Sequence, residues 1–346
     1  MHFSGAPDLC KIGPELCVEG LRRKAQDRRD RCTSPGHVVR RDEACEDATN
    51  QPLEHTQPVL NYVPPIWVGA VILAAVLTTM AALETVRPLR RRLEPRLRRT
   101  VRNFTTGALS LAIVTLLQAP ILMPLVHWAQ RRDVGLLNLV ELPPALAIGL
   151  AVLLLDYTLW HWHRINHVVP FFWRFHLVHH VDRDMDASTA LRFHFGEHAL
   201  SIGWRVLQVM AIGPSPDAIW IFHALLVASI LFHHSNTRLP LRLERFLVRL
   251  VVTPRMHGIH HSDWRNETDS NWSSLFSCWD YLHRTVLLSM PQEKIVVGVP
   301  AYGEPEDVTI GRILWMPFRR QGDAWTGPRG PQIDRSHPGD KSELAP

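Results

Sequence analysis

The sequence predicts an all-α integral membrane protein: a bundle of about four to five transmembrane or re-entrant helices under a cytosolic, histidine-rich helical cap. Three observations predict it. Apolar residues are gathered into long blocks, although the mean hydropathy of −0.05 looks like that of a soluble chain. Arginine-rich segments sit between those blocks and cancel them in the average. Three histidine patterns stand just outside the blocks: His163-x-x-x-His167, His176-x-x-His179-His180 and His257-x-x-His260-His261.

The chain has 346 residues and a formal charge of +5. A basic balance in a soluble protein would point to nucleic acid. Here the arginines flank apolar blocks, which fits membrane topology and anionic headgroups, and no nucleic-acid motif is present. Residues 1–62 are polar, mixed in charge and weakly patterned, with no apolar run of spanning length; they are expected to be a disordered extension. They hold Cys10, Cys17, Cys32 and Cys45, whose spacing is not that of a zinc knot. The catalytic domain is expected over residues 63–290. Residues 291–346 form a C-terminal extension, with a disordered tail from about residue 321.

The first block, residues 66–83, follows Pro64-Pro65 and carries no charge until Glu84, a length that suits one crossing. Residues 87–102 then hold eight arginines and one acid. The second block, residues 104–126, contains Pro120 and Pro124, which should kink or end it. The third, residues 142–160, opens with Pro143-Pro144, tolerated in a first turn. Residues 198–212 and 217–232 are short for full spans. Gly213-Pro214-Ser215-Pro216 separates them, so they form a hairpin that either crosses or dips in and returns.

The arginine cluster should face the cytoplasm. The first block then runs inward, the second returns, and the third comes back in, delivering residues 161–180 to the cytoplasmic face. The hairpin starts and ends on that face, so residues 257–261 arrive there too.

Positions i, i+3 and i+4 share a helix face, so each histidine pattern is expected to aim its imidazoles one way. Imidazole suits iron, zinc and copper, whereas magnesium and calcium take oxygen. Eight histidines exceed one tetrahedral site, which implies two metal ions. His234 is the best ninth ligand and His194 the next. Asp156 lies on the stripe of Trp160, His163 and His167, where it is expected to accept a hydrogen bond from a ligand imidazole. Glu197 is a further candidate for that outer role, and His161 points off the stripe. Arg164 and Arg174, set among Trp160, Trp162, Phe171, Phe172 and Trp173, read as part of an interfacial aromatic belt.

The chain resembles the fatty acid hydroxylase superfamily, which includes sterol desaturases, sterol methyl oxidases and alkylglycerol monooxygenase. The residues that carry the likeness are Asp156-Tyr157, His163-Arg164-x-x-His167 and Trp173-x-Phe-His176-x-x-His179-His180. Ala190-Leu-Arg192-x-His194 with Glu197, His234-Ser235-Asn236 and Thr253-Pro254-Arg255-Met256-His257-x-x-His260-His261-Ser262 complete it. The resemblance covers about residues 66–290. It implies a membrane di-iron enzyme that hydroxylates or desaturates a lipid C–H bond with O2. It further implies that His163, His167, His176, His179, His180, His257, His260 and His261 carry the catalysis by holding two irons, with His234 added; zinc can replace iron on isolation.

Departures occur at Trp272-Ser273, where aromatic-Gly is common, and at Leu282-His283-Arg284, in place of a usual Leu-Phe-Gly. They lie outside the histidine patterns and bear on the substrate. No haem-attachment, cytochrome b5, flavin or nicotinamide motif is present, so an external electron donor is implied, cytochrome b5-like or ferredoxin/reductase-like. The expected location is a bacterial inner membrane, or the endoplasmic reticulum in a eukaryote. A zinc-dependent membrane hydrolase would need a general base such as the Glu of H-E-x-x-H, which no pattern contains. A non-enzymatic metal-binding membrane protein is the other alternative.

Overall fold

The computed structural model describes residues 66–334, so the expectations for residues 1–62 and their cysteines lie outside the described residues. Helix α1 (Ile66–Val86) is apolar over almost its whole length and scarcely covered by protein, as a lipid-facing span would be. It stops just before Pro88. Glu84, in its last turn, is fully buried. The carboxylate accepts hydrogen bonds from the backbone N–H of Ala187 (2.7 Å) and Asn236 (3.1 Å), and pairs with Arg96 at 3.3 Å. One acid thus fastens the end of the first span to the cap.

Helices α2 (Arg96–Ile113) and α3 (Ala119–Arg131) form one continuous rod through a π turn at Val114–Gln118. The expected break at Pro120 and Pro124 does not occur. A proline removes one backbone donor, and the π turn just before Pro120 absorbs that loss without ending the helix. The rod also starts earlier than the apolar block, because its first two turns lie in the cap.

Helix α4 (Pro144–Val168) begins at the expected proline pair and runs 25 residues, roughly 37 Å. This exceeds a hydrocarbon core of about 30 Å, so its last turns project past the membrane. Val169 is extended ahead of Pro170, which opens α5 (Pro170–His180). Helices α6 (Phe195–Ile212) and α7 (Pro216–His234) form the hairpin. Gly213 closes α6 in the left-handed region at φ 69°, and the Ser215 hydroxyl caps α7. The hairpin tip meets the loop beyond the far end of α3. There Gln130 donates to Gly213 O (3.2 Å) and Asn138 Oδ1 (2.9 Å), and a Cβ at Gly135 would collide with the Gly213 backbone. The hairpin therefore runs the full depth of its neighbours. Among the described residues, four helical stretches are long and apolar enough to cross a membrane: 68–86, 96–138, 144–168 and 216–234.

After α7, the short helices α8 (Leu241–Leu247), α9 (Pro254–His260) and α10 (Cys278–His283) build the rest of the cap. The C-terminal segment then wraps α5. Val299, Val308, Ile313, Met316, Ala324 and Trp325 bury themselves against Leu177, Val178 and Val181. Arg174 leaves the expected aromatic belt. It holds this strap by donating to Pro317 O and Arg319 O, both at 2.7 Å. The tail expected from residue 321 is thus packed structure over residues 321–334, because Trp325 is buried and stacks on Trp173 at 5.9 Å. Residues 335–346 lie outside the described residues.

Trp325→Ala should cost about 3 kcal/mol or more, as loss of a buried tryptophan does. A clear drop in melting temperature of the detergent-purified protein checks this; an unchanged midpoint would show the strap to be peripheral.

Candidate metal centre

The C-terminal turns of α4 and α7, together with α5 and α9, bring nine histidines to one place in two groups. His163, His167, His176, His180 and His260 form the first, and His179, His234, His257 and His261 the second. Within each group the ring nitrogens lie within 4.8 Å of one another. The groups adjoin: the rings of His180 and His261, one from each, stack at 4.3 Å.

This partition corrects the expectation that each pattern aims its imidazoles one way. In His176-x-x-His179-His180 the first and last residues serve one group and the middle one the other. In His257-x-x-His260-His261 the arrangement is the same with the groups exchanged. Helix geometry accounts for it. Successive residues turn by about 100°, so i and i+4 are only about 40° apart, while i+3 and i+4 are a full 100° apart. Adjacent histidines on a helix therefore join different groups.

The donor set fits metal. Nε2 of His234 lies 3.0 Å from Nε2 of both His179 and His257, about the separation of two nitrogens bound at right angles to one ion at about 2.1 Å. His176 Nε2, His180 Nε2, His260 Nε2 and both ring nitrogens of His167 and His261 are buried with no hydrogen-bond partner. Buried polar atoms are ordinarily satisfied, and this many unpartnered lone pairs facing one another call for a cation. Neither group contains a carboxylate, which favours iron, zinc or copper over magnesium or calcium.

Outer partners fix which nitrogen faces inward. His163, His260 and His234 donate Nδ1–H to the carbonyls of Trp272 (2.7 Å), Ser270 (2.7 Å) and Ile230 (2.8 Å). His176 donates Nδ1–H to Glu197 at 3.0 Å. Each bond leaves Nε2 as the free lone pair and stops the ring from rotating. Burial, reinforced by neighbouring imidazoles, holds His179, His180, His257 and His261 well below the usual histidine range. Burial likewise pushes His260 down to about 3, against the opposing effect of its bond to Ser270. The rings are neutral at physiological pH and ready to bind metal.

A buried ion network anchors the segment after α5. Asp182 accepts from Arg99 (3.0 Å), Asn103 (3.2 Å) and Thr189 (3.0 Å), and Asp186 pairs with Arg99 at 2.6 Å. Arg192 donates to Val178 O at 2.8 Å, within α5 itself. Arg99, Arg102 and Arg192 together hold the Asp182 carboxyl well below its ordinary range, even against burial.

A family model described as fatty acid hydroxylase matches residues 148–285. Curated relatives include the ornithine lipid hydroxylase OlsE of Rhizobium tropici, 29% identical over 40% of this chain and 41% of the relative. A cholesterol 25-hydroxylase-like protein of Danio rerio is 28% identical over 47% of this chain and 65% of the relative. Human alkylglycerol monooxygenase is 30% identical over 43% of this chain and 32% of the relative. Residues 148–285 form a fatty acid hydroxylase domain, and the curated relatives are similar to this chain across it. The matches span less than two thirds of each of these relatives' own length. No solved structure matches.

Within that superfamily domain, all nine histidines proposed as metal ligands from the sequence fall in the two groups. Glu197 stands where an outer partner should, on His176. Two other candidates do not. His194 caps α6, its Nδ1 accepting from Gly196 N at 2.9 Å and its Nε2 donating to Leu314 O at 3.1 Å, which turns it away from the cluster. Asp156 accepts from Phe276 N (3.0 Å) and Trp279 Nε1 (2.7 Å), so it fastens α4 to the α10 region and touches no ligand ring. His161 packs on Tyr157, Trp160 and His283, off the site. The carbonyls of Trp272, Ser270 and Ile230 escaped sequence reasoning because a backbone acceptor has no side-chain signature. The Asp182–Arg99 network had a faint one, the Asp-x-Asp-x-Asp run of residues 182–186 directly after His180.

Glu197→Ala should weaken metal binding by about 10–100-fold, and Glu197→Gln, which keeps an acceptor, by less. Competition with a chelator, followed by elemental analysis, measures both. Asp182→Asn should destabilise the fold by about 3–5 kcal/mol, because it strands buried arginines; equal melting temperatures would show the network to be neutral.

Proposed function

We propose that this chain is a membrane-bound non-haem di-iron oxygenase. It hydroxylates or desaturates a C–H bond of a membrane lipid, using O2 and electrons from an external donor of the cytochrome b5 or ferredoxin/reductase kind. The observation that carries the reading is the sorting of nine imidazoles into groups of five and four. The names of the relatives support it: a lipid hydroxylase, a sterol hydroxylase-like protein and a monooxygenase. Residues 63–290 are assigned as the catalytic domain, with the active site on the cytoplasmic side of a bacterial inner membrane or of the endoplasmic reticulum.

Two irons held by these histidines would supply the oxidising chemistry that a lipid C–H bond requires. The chain's own part is positional. His163, His176, His234 and His260 are locked by their outer hydrogen bonds, so the donor geometry is set before metal arrives. Trp173 packs against His167 at 5.1 Å and His180 at 5.4 Å, closing the first group from the strap side and excluding water. Hydroxylation by O2 places one oxygen atom in product and one in water, so reducing equivalents must come from outside the substrate. A zinc hydrolase would need a general base beside the metal. Among the described residues no carboxylate joins either group, and Glu197 is engaged by His176 Nδ1.

Elemental analysis of protein purified in detergent should find about two irons per chain. His180→Ala should deplete the five-histidine group and His179→Ala the four-histidine group, each leaving roughly one equivalent in a protein that still inserts. Full metal content in both variants would sink the assignment.

A further inference from the structure

A cavity of about 290 Å³ opens beside the metal centre, lined by Trp160, His161, Arg164, Trp272, His283 and Thr285. The metal chemistry uses none of these side chains. Trp272 is 5% exposed, and its indole Nε1–H is buried with no hydrogen-bond partner. An indole N–H only donates, so whatever satisfies it must accept. His283 Nε2 is also buried and unpartnered, and its ring is fixed by stacking on Trp160 at 4.1 Å. Arg164 lies over the Trp272 ring at 5.4 Å and has no salt bridge among the described residues. Asp269 senses its charge but pairs with Arg265 at 3.4 Å.

Acceptors in the wall are already engaged. Asp280 receives Trp160 Nε1 (3.0 Å), Trp272 N (3.0 Å), Ser273 N (2.9 Å) and the Thr285 hydroxyl (2.7 Å). The Trp272 carbonyl receives His163. His161 has its Nδ1 directed to Tyr157 O at 3.0 Å. What remains is a cation and two unmatched ring nitrogens, arranged for an anion. Depth says where that anion comes from. Arg164 stands twenty residues beyond Pro144, about 30 Å along α4, which is the thickness of the hydrocarbon core. The cavity therefore sits at headgroup level and has room for a headgroup rather than an acyl chain.

We propose that this cavity binds the phosphate or carboxylate of an anionic lipid headgroup and so selects the substrate. The substrate role rests on the lipid-oxygenase reading; the anion site does not. The test is titration of the full-length, metal-loaded chain in dodecyl maltoside with dodecyl phosphate, read by tryptophan fluorescence. Saturable binding is expected, weakened tenfold or more by Arg164→Gln and by Trp272→Phe, which keeps the ring and the carbonyl but removes the N–H. Arg312→Gln, in the distant strap, should bind as wild type does. Arg164 is exposed, so its variant reports even if the Trp272 variant fails to fold. Unsaturable binding, or equal affinity in wild type and Arg164→Gln, would overturn the proposal. Inorganic phosphate that binds as tightly as dodecyl phosphate would overturn the lipid assignment and leave a soluble-anion site. Metal content measured on the same samples separates the two readings: full metal with no binding refutes only the cavity.

Discussion

Nine imidazoles face one another with no carboxylate in either group, and the cap is built around that constraint. Lone pairs in mutual contact repel, and buried polar atoms without partners are costly. Before metal binds, the cluster contributes little to its own stability. The surroundings must hold it from outside, and every layer does so. Carbonyls of Trp272, Ser270 and Ile230 and the Glu197 carboxylate grip the outward nitrogens. The Asp182–Arg99 network fixes the chain just after α5, and the strap presses on the opposite face of that helix. Metal binding and cap folding are therefore coupled: the ion removes a penalty that the scaffold otherwise bears alone.

The arginines show why a sequence rule can bring the right residues together and still be incomplete about mechanism. Eight of them between the first two spans carry a topological signal. That reading places all three histidine patterns on one side, and the structure brings those patterns together. Yet Arg99 and Arg102 turn inward onto Asp182, and Arg96 reaches Glu84. Charge density marks a membrane face whether a given guanidinium points to headgroups or to a buried carboxylate. Only the partner's position in the fold distinguishes the two, and Asp182 is 83 residues from Arg99.

The spans and ligands were legible for a different reason. Long apolar blocks and repeated histidines are local, periodic signals, and both survive averaging over a window. Signals that were missed are non-local or lack a side chain. Trp325 looked like part of a polar tail because one tryptophan among Gly, Pro and charge carries no periodicity. Its burial depends on Trp173, some 150 residues earlier. The π turn before Pro120 was hidden because a proline signals that a donor is lost, not how the helix accommodates it.

The shared-face rule failed most usefully. At low resolution, i, i+3 and i+4 lie together, which is enough to predict a metal site. A ligand cone is narrower than a helix face, however, and the 100° between His179 and His180 sends them to different groups. Two such motifs with opposite assignments interlock, so that each group draws on both α5 and α9. Neither helix can shift without disturbing both groups at once. The outer bonds fall on both kinds of ligand: His176 and His260 hold theirs from within the interlocked motifs. His163 and His234 sit at the ends of membrane helices outside the paired motifs, and each is tied to a backbone carbonyl at 2.8 Å or less.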